Sequence, residues 1–187
     1  MKNVTVLFPG IGYTCDRPLL YYAGKLAASL GHQVIRVPYG HFPDGVKGDP
    51  EKMRQAFLSA LAQAEELLRD VDWSAYETVT FIGKSVGTVV AGAYAKKHHL
   101  KVRFILLTPV MEAFDQLEGL AIAFHGTADP WAQTADVIKT CGAMGIPLFL
   151  TENANQSLET GNVAFDIQTV GRVMERVAVF MREPCGD

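Results

Sequence analysis

Residues 78–91 read Thr78-Val79-Thr80-Phe81-Ile82-Gly83-Lys84-Ser85-Val86-Gly87-Thr88-Val89-Val90-Ala91. The run before Gly83 is apolar and β-branched, which is typical of a buried strand, and the residues after Ser85 are typical of a helix. Glycines stand two positions before and two positions after the serine, where a Cβ would clash across a tight turn. The pattern predicts a nucleophile elbow, a strand-turn-helix unit that lifts the Ser85 hydroxyl clear of the backbone.

Ser85 has a second interpretation as a helix N-cap. A hydroxyl at the start of a helix commonly accepts hydrogen bonds from backbone N–H groups. Capping alone does not require glycine at both position 83 and position 87. We therefore favour the elbow, with Ser85 as the candidate nucleophile.

The composition indicates one compact domain, residues 1–187. Of the 187 residues, 49% are hydrophobic and 20% are charged, which is enough apolar material for a sizeable core. The net charge of −3 gives no electrostatic basis for binding nucleic acid or an anionic membrane. The amino-terminal apolar run is too short for a signal peptide or a membrane span, so a cytoplasmic protein is expected.

Apolar strand-like runs alternate with helical patterns along the whole chain. Strands are predicted at residues 3–8, 33–37, 78–82, 102–107, 120–124 and 147–150. Helices are predicted at residues 16–30, 49–70, 85–98, 130–143 and 162–182. This alternation predicts an α/β fold, a three-layer α/β/α sandwich around a six-stranded, parallel, doubly wound sheet. Functional residues are then expected in the polar loops at the carboxyl ends of the strands.

Two patterns bear on metals and cofactors. The cysteines Cys15, Cys141 and Cys185 have no metal-ligand spacing, and their odd number argues against a disulfide framework. The loop after the first strand, Gly10-Ile11-Gly12-Tyr13, resembles the start of a dinucleotide-binding loop. Its third glycine is missing, however, and no acidic residue ends the second strand. We predict neither a metal nor a cofactor.

The same loop has a second interpretation as half of an oxyanion hole. Small residues let a backbone N–H, that of Ile11 or Gly12, approach a reacting carbonyl oxygen. The N–H of Val86, directly after the candidate nucleophile, supplies the second donor. We favour this interpretation because it agrees with the elbow at Ser85.

Asp129 lies in the segment His125-Gly126-Thr127-Ala128-Asp129-Pro130-Trp131, after the fifth predicted strand. Aspartate followed by proline is an ordinary helix start, with the carboxylate as N-cap. The alternative is a carboxylate that orients a catalytic imidazole and stabilises its charged form. A serine followed by an aspartate in this order is the arrangement used by α/β-hydrolases, so we favour the second interpretation.

Three segments together resemble the α/β-hydrolase superfamily, in particular its small lidless members related to dienelactone-hydrolase-like esterases. They are Gly83-Lys84-Ser85-Val86-Gly87, His125-Gly126-Thr127-Ala128-Asp129 and Ala154-Asn155-Gln156-Ser157-Leu158-Glu159. The resemblance covers nearly the whole chain and implies the sheet order 2-1-3-4-5-6. It also implies that Ser85 is the nucleophile, that Asp129 is the acid, and that the amides of Ile11, Gly12 and Val86 are the oxyanion donors.

Gln156 stands where the family carries its catalytic histidine. A neutral amide donates and accepts hydrogen bonds but does not take up a proton at pH 7, so Gln156 cannot act as the general base. Either catalysis is impaired, or another side chain accepts the proton of Ser85. Candidates for such a base are His41, His125 and Glu112, which all belong to the same edge of the predicted sheet.

Several further side chains are expected around the substrate. Lys84 is either a solvated lysine or a cation that favours an acidic substrate, and Arg17 is a candidate for binding a carboxylate. Further pocket candidates are Tyr13, His41, Glu112 and Trp131, together with the aromatic rings of Phe42 and Phe114.

Two functions follow from these expectations. The first is nucleophilic acyl transfer from a small ester, lactone or thioester to water. The alternative is an inactive relative that binds a small acid or ester in the same pocket. A nucleotide-binding domain with a flavodoxin-like or Rossmann-like fold is a third and weaker interpretation.

Overall fold

The computed structural model describes residues 2–42, 44–46 and 48–183, and Cys185 lies outside them. Six strands form one sheet: β1 (Asn3–Phe8), β2 (His32–Arg36), β3 (Thr78–Lys84), β4 (Arg103–Leu107), β5 (Ala121–Gly126) and β6 (Leu148–Thr151). The sheet order is β2-β1-β3-β4-β5-β6, and every neighbouring pair is parallel. The predicted fold class and sheet order are confirmed.

Five helices connect the strands. They are α1 (Pro18–Ser29), α2 (Pro50–Leu68), α3 (Val86–Lys97), α4 (Thr134–Met144) and α5 (Val163–Arg182). Short 3₁₀ helices span Trp73–Ala75 and Met111–Gln116. In the described part of the chain, no helix has both the length and the apolar content needed to cross a membrane.

The helices cover the sheet on both faces. Apolar side chains of α2, α3 and α4 pack on one face, around Phe81, Tyr94 and Phe104. Side chains of α1 and α5 pack on the other face with Leu7 and Ile82. Each face has its own buried cluster, as a doubly wound three-layer sandwich requires.

Local sequence determines where the helices begin. In α2, the Asp49 side chain accepts hydrogen bonds from the N–H groups of Glu51 and Lys52, and Pro50 occupies the first turn. Helix α1 begins at Pro18 rather than at residue 16, because proline suits the first helical turn and Asp16 instead pairs with Arg36 at 2.8 Å.

Arg103, at the start of β4, holds the carboxyl end of α5 against the sheet. Its guanidinium donates to the carbonyl oxygens of Phe180 and of Glu183, the latter at 2.7 Å, and lies 4.4 Å from the Phe180 ring centroid. The helix and strand are thereby joined at the end of the sheet opposite the polar loops.

Candidate active site

Ser85 occupies a strained turn between β3 and α3. Its φ of 54° and ψ of −123° lie in a region that residues with a Cβ rarely adopt. The turn is tight: a Cβ at Gly83 would lie 2.7 Å from Thr88 Cα, and one at Gly87 would lie 2.1 Å from the Phe8 carbonyl oxygen. The two glycines are therefore required by close backbone approach, as the sequence pattern predicts.

The Ser85 hydroxyl does not cap α3. No side-chain capping bond is made at this helix start, so the N-cap interpretation of the hydroxyl is wrong. Instead, Gln156 Nε2 donates a hydrogen bond to Ser85 Oγ over 2.7 Å. The hydroxyl faces the loop between β6 and α5, at the position where the resemblance implies an imidazole.

A hydrogen-bonded turn holds Gln156 in place. The Asn155 side chain accepts bonds from the N–H groups of Ser157 at 2.7 Å and Glu159 at 3.2 Å, and its backbone N–H donates to the Glu159 carbonyl. Leu158 anchors the turn, since its side chain is buried in the cluster beneath α1 and α5. Gln156 is thus presented from an ordered loop.

Asp129 does not start α4, which begins at Thr134, so the helix-start interpretation of Asp129 is wrong. One carboxylate oxygen of Asp129 accepts the Trp131 N–H at 2.9 Å. The other, Oδ2, is buried and has no hydrogen-bond partner in the described part of the chain. It lies 3.9 Å from His125 Nδ1. Asp129 Oδ2 is therefore the acceptor that could orient an imidazole, and Gln156 makes no hydrogen bond to it.

His125 makes no hydrogen bond to Ser85 in the part of the chain that the structure describes. Its side chain is fully buried, and Nε2 is 3.1 Å from the Thr134 hydroxyl, while Nδ1 faces Asp129. Burial lowers the pKa of His125, although the Asp129 charge partly opposes this shift. Burial likewise raises the pKa of Asp129, against the Trp131 N–H and the charges of His125 and Lys84.

The loop after β1 forms a tight turn beside Ser85. Gly10 and Tyr13 exchange two backbone hydrogen bonds, and Gly12 has a φ of +72° that favours glycine. In the described part of the chain, the Ile11 and Gly12 N–H groups donate no backbone hydrogen bond. The Val86 N–H is the first of α3 and has no acceptor within the helix. These amides are therefore available to an oxyanion.

Ser85 lines a cavity of about 500 Å³. The cavity is bounded by residues from the loops after β1, β2, β4, β5 and β6 together with α2 and the start of α3: Ile11, Phe42, Asp44, Gly45, Val46, Met53, Val86, Val110, Trp131 and Gln156. Most of this lining is apolar. Val46, Met53 and Val110 could not be predicted as lining residues, because an apolar side chain in a loop or on a helix gives no sign in the sequence of facing a ligand rather than the core.

The structure brings only some of the predicted pocket residues to this cavity. Trp131 and Phe42 line it, whereas Phe114 is buried in the core. Three polar candidates lie outside it as exposed side chains: Arg17, His41 and Glu112. Each follows the carboxyl end of a strand, but its side chain is directed to solvent.

Lys84 is not solvated and does not line the cavity. It is 1% exposed, and its ammonium lies 4.8 Å from the centroid of the buried Tyr13 ring. Because strand residues alternate between faces, Lys84 shares the sheet face of Ile82, where Tyr13 is also buried. Burial lowers the pKa of Lys84 to about 7, and the carboxylates of Asp129 and Glu159 partly oppose the shift.

A larger groove of about 790 Å³ lies between α1 and α5. Apolar side chains of Tyr22, Val163, Ile167 and Met174 form much of its wall. Ser85 does not line this groove. The candidate reactive site is therefore the smaller cavity, which Ser85 does line.

The fold resembles that of solved α/β-hydrolases. A serine hydrolase homologue from Coxiella burnetii has a TM-score of 0.67 and 13% identity, with 94% of this chain and 84% of that chain covered. Est1E from Butyrivibrio proteoclasticus, solved with ferulic acid bound, has a TM-score of 0.69 and 12% identity, covering 97% and 88%. A serine hydrolase without a lid from Xanthomonas campestris has a TM-score of 0.62 and 12% identity, covering 99% and 84%.

These likenesses establish a shared fold. No family model matches the sequence, and no curated protein matches it either. At such low identities a shared fold does not establish a shared activity, so the function is inferred from the residues of the site.

Proposed function

We propose that this protein hydrolyses a small ester, lactone or thioester, with Ser85 as the nucleophile. The observation that carries the proposal is the placement of the Ser85 hydroxyl. It lies at a strained turn, lines a cavity and accepts a hydrogen bond from Gln156 instead of capping its helix. The hydroxyl is therefore accessible to a ligand in the cavity, and the hydrogen bond from Gln156 holds its oxygen in position.

The proposed reaction has two acyl-transfer steps. Ser85 Oγ attacks the carbonyl carbon as its proton is removed, and the alcohol or thiol departs with a proton, leaving an acyl-enzyme. Water then attacks the acyl carbon, and the Ser85 hydroxyl is regenerated as the acid leaves. The amides of Val86 and of Ile11 or Gly12 are the donors for the oxyanion in both steps, and each donor contributes about 3 kcal/mol.

The cavity lining supports a small and largely apolar substrate. Phe42, Met53 and Trp131 offer apolar surface, and the volume of about 500 Å³ is within the usual range for small-molecule pockets. Est1E, which shares the fold, holds ferulic acid. Ferulate and its methyl ester are therefore suitable probes of this cavity.

Hydrolysis of p-nitrophenyl acetate, butyrate and octanoate tests the proposal. We expect the acetate and butyrate to be hydrolysed with a higher kcat/KM than the octanoate, because the cavity is small. Ser85→Ala should lower kcat/KM by at least about 10³-fold, since the nucleophile is lost. The matched control is Ser29→Ala, an exposed serine on α1, which should behave as wild type. Equal rates for Ser85→Ala and wild type would exclude Ser85 as the nucleophile.

A second candidate function is ligand binding without turnover. Two observations favour it: Gln156 occupies the position beside Ser85, and Asp129 Oδ2 has no partner in the described part of the chain. The Gln156 amide and the free backbone amides are hydrogen-bond donors, a set that suits the carboxylate of a small acid.

Thermal unfolding with ferulate and methyl ferulate distinguishes the two candidates. A binding protein should show an increased Tm with ferulate and no release of ferulate from the ester. A hydrolase should release ferulate from methyl ferulate, and Ser85→Ala should abolish the release while the protein still binds the ester.

A further inference from the structure

The cavity that holds Ser85 is bordered by a single kind of charge. Apart from Ser85, Gln156 and Asp44, the described residues of its lining are apolar or glycine, so Asp44 alone among them has a charged side chain. The two cations expected from the sequence to favour an acidic substrate do not contribute. Lys84 is 1% exposed and Arg17 is exposed, and neither lines the cavity. The charge at the cavity is therefore negative.

The carboxylate of Asp44 makes no ion pair with any described residue. Lys52 lies beside Asp44, but its ammonium donates to the backbone carbonyl oxygen of Asp44, at 3.0 Å, rather than to the carboxylate. Lys52 does not line the cavity either. A ligand in the cavity therefore meets an aspartate whose charge is not neutralised by a described side chain.

The loop after β2, which carries Asp44, is anchored on both sides of that residue. The Gln63 side chain on α2 donates to the Gly40 carbonyl oxygen at 2.9 Å and accepts the Gly40 N–H at 3.0 Å. On the other side, Val46 is buried, and its carbonyl oxygen accepts the Asp49 N–H at 3.2 Å. These contacts limit the movement of the loop, so the charge is placed at the cavity before a ligand binds.

Aromatic rings line the same cavity as Asp44. Phe42 and Trp131 both belong to the lining, and the Phe42 ring packs edge-on against Tyr39, with 6.0 Å between the ring centroids. The face of an aromatic ring attracts a cation, and quaternary ammonium groups are ligands that such rings recognise. A carboxylate and aromatic rings in one cavity suit a cation that carries apolar substituents.

We infer that Asp44 selects the charge of the substrate, and that the ester, lactone or thioester cleaved at Ser85 carries a positively charged group such as a quaternary ammonium. This inference rests on the hydrolase function proposed above and narrows its substrate class. Asp44 acts through its charge on the bound substrate and takes no part in proton transfer, so it is a specificity-determining residue. The same charge disfavours an anionic substrate.

Two matched pairs of substrates measure the preference for charge. In the first pair the charge is on the thiol: acetylthiocholine is compared with its analogue in which tert-butyl replaces trimethylammonium. In the second pair it is on the acyl group: the p-nitrophenyl ester of γ-butyrobetaine is compared with its tert-butyl analogue. At low ionic strength, we expect the cationic member of at least one pair to have a kcat/KM about fivefold above that of the neutral member. Added sodium chloride should weaken this preference, because salt screens an exposed carboxylate.

Variants of the lining identify the source of the preference. Asp44→Asn should lower the ratio of the two kcat/KM values at least about threefold, since it removes the charge and keeps the shape. Asp44→Lys should favour the neutral member. Phe42→Leu should lower the ratio about twofold, because the side chain stays apolar but loses its aromatic face. The matched control is Asp115→Asn, at an exposed carboxylate outside the lining, which should keep the wild-type ratio.

Binding of choline gives a second readout that needs no turnover. At equal concentrations, choline should raise the Tm of the wild type more than its tert-butyl analogue does, because only choline carries the charge. In Asp44→Asn the two compounds should give similar Tm values.

Three results would overturn the inference. Equal kcat/KM values for both members of both pairs would show that the cavity does not select charge. An unchanged ratio in Asp44→Asn would show that another group selects it. An equal loss in Asp115→Asn would assign the effect to the net charge of the protein. Failure of the proposed hydrolase function looks different, because the wild type would then hydrolyse no member of either pair. Choline binding would still decide the inference in that case, and equal Tm shifts from choline and its analogue would reject it.

Discussion

At the residue scale, burial makes the ionised carboxylate of Asp129 unfavourable. Its carboxylate is buried, and Oδ2 has no hydrogen-bond partner in the described part of the chain. Burial therefore raises its pKa above the ordinary 3.8, which means that the ionised form is less stable in the folded protein than in the unfolded chain. The ionised carboxylate of Asp129 therefore does not stabilise the fold.

Replacing Asp129 with asparagine should consequently stabilise the protein. At pH 7 we expect Asp129→Asn to raise the free energy of unfolding by about 1 kcal/mol, because an uncharged amide costs less to bury. A carboxyl whose folded pKa is raised contributes favourably below pH 3.8 and loses that contribution as the pH rises through the folded pKa. The advantage of the variant should therefore grow between pH 4 and pH 7.

Urea unfolding of Asp129→Asn and wild type across this range measures the effect. The exposed Asp115→Asn is the control and should show no such pH-dependent difference. If Asp129→Asn were less stable than wild type at pH 7, the Asp129 carboxylate would make a stabilising contact in the folded protein. That result would contradict an Oδ2 atom without a hydrogen-bond partner.

At the residue scale, the positions of the site residues could be predicted from the sequence, but the burial of their side chains could not. The positions of Ser85, Asp129 and Gln156 followed from motif spacing, and the structure brings Gln156 to Ser85 as that spacing implies. The burial of Lys84 did not follow, because it depends on which face of β3 the residue occupies and on Tyr13 covering it. A lysine in a sequence is ordinarily expected at the surface.

At the element scale, the β3–α3 turn depends on backbone contact with β1. A Cβ at Gly87 would lie 2.1 Å from the Phe8 carbonyl oxygen and 2.5 Å from that of Pro9. Helix α3 can approach β1 only because position 87 has no side chain, and this approach fixes where Ser85 points.

Alanine substitution at two helical glycines tests this dependence. Gly87→Ala should lower the free energy of unfolding by about 3 kcal/mol or more, because backbone atoms have to move apart. Gly142→Ala in α4 should instead raise it by roughly 0.5–1 kcal/mol, since nothing lies within 4 Å of the added Cβ and alanine favours the helix. Similar effects at both positions, measured by urea unfolding, would contradict the tight turn.

Helix boundaries show where element prediction is weakest. Helix α4 begins at Thr134, later than the predicted residue 130, because Asp129 caps a separate turn through the Trp131 N–H. An Asp-Pro pair marks a helix start or a turn equally well, and tertiary contacts decide between them. Strand β1 has its predicted bounds, whereas β2 to β6 differ from theirs by one or two residues, because hydrogen bonding to neighbouring strands sets the strand ends.

At the scale of the whole molecule, the alternation of strands and helices was sufficient to predict a doubly wound parallel sheet. The order β2-β1-β3-β4-β5-β6 came from the family resemblance, because alternation alone permits other orders. The cavity was the least predictable part. Its walls join Phe42, Met53, Val110 and Trp131, which come from separate connections and meet only when the chain is folded.

The central claim is that Ser85 is a working nucleophile although Gln156 stands beside it. The measurement that tests this claim most directly is the rate of fluorophosphonate labelling at Ser85, located by peptide mass spectrometry, in wild type and in Gln156→His. We predict stoichiometric labelling of the wild type at Ser85, within about 10²-fold of the histidine variant. Labelling of Gln156→His alone would contradict this claim and would indicate that the protein binds a ligand at Ser85 without turnover.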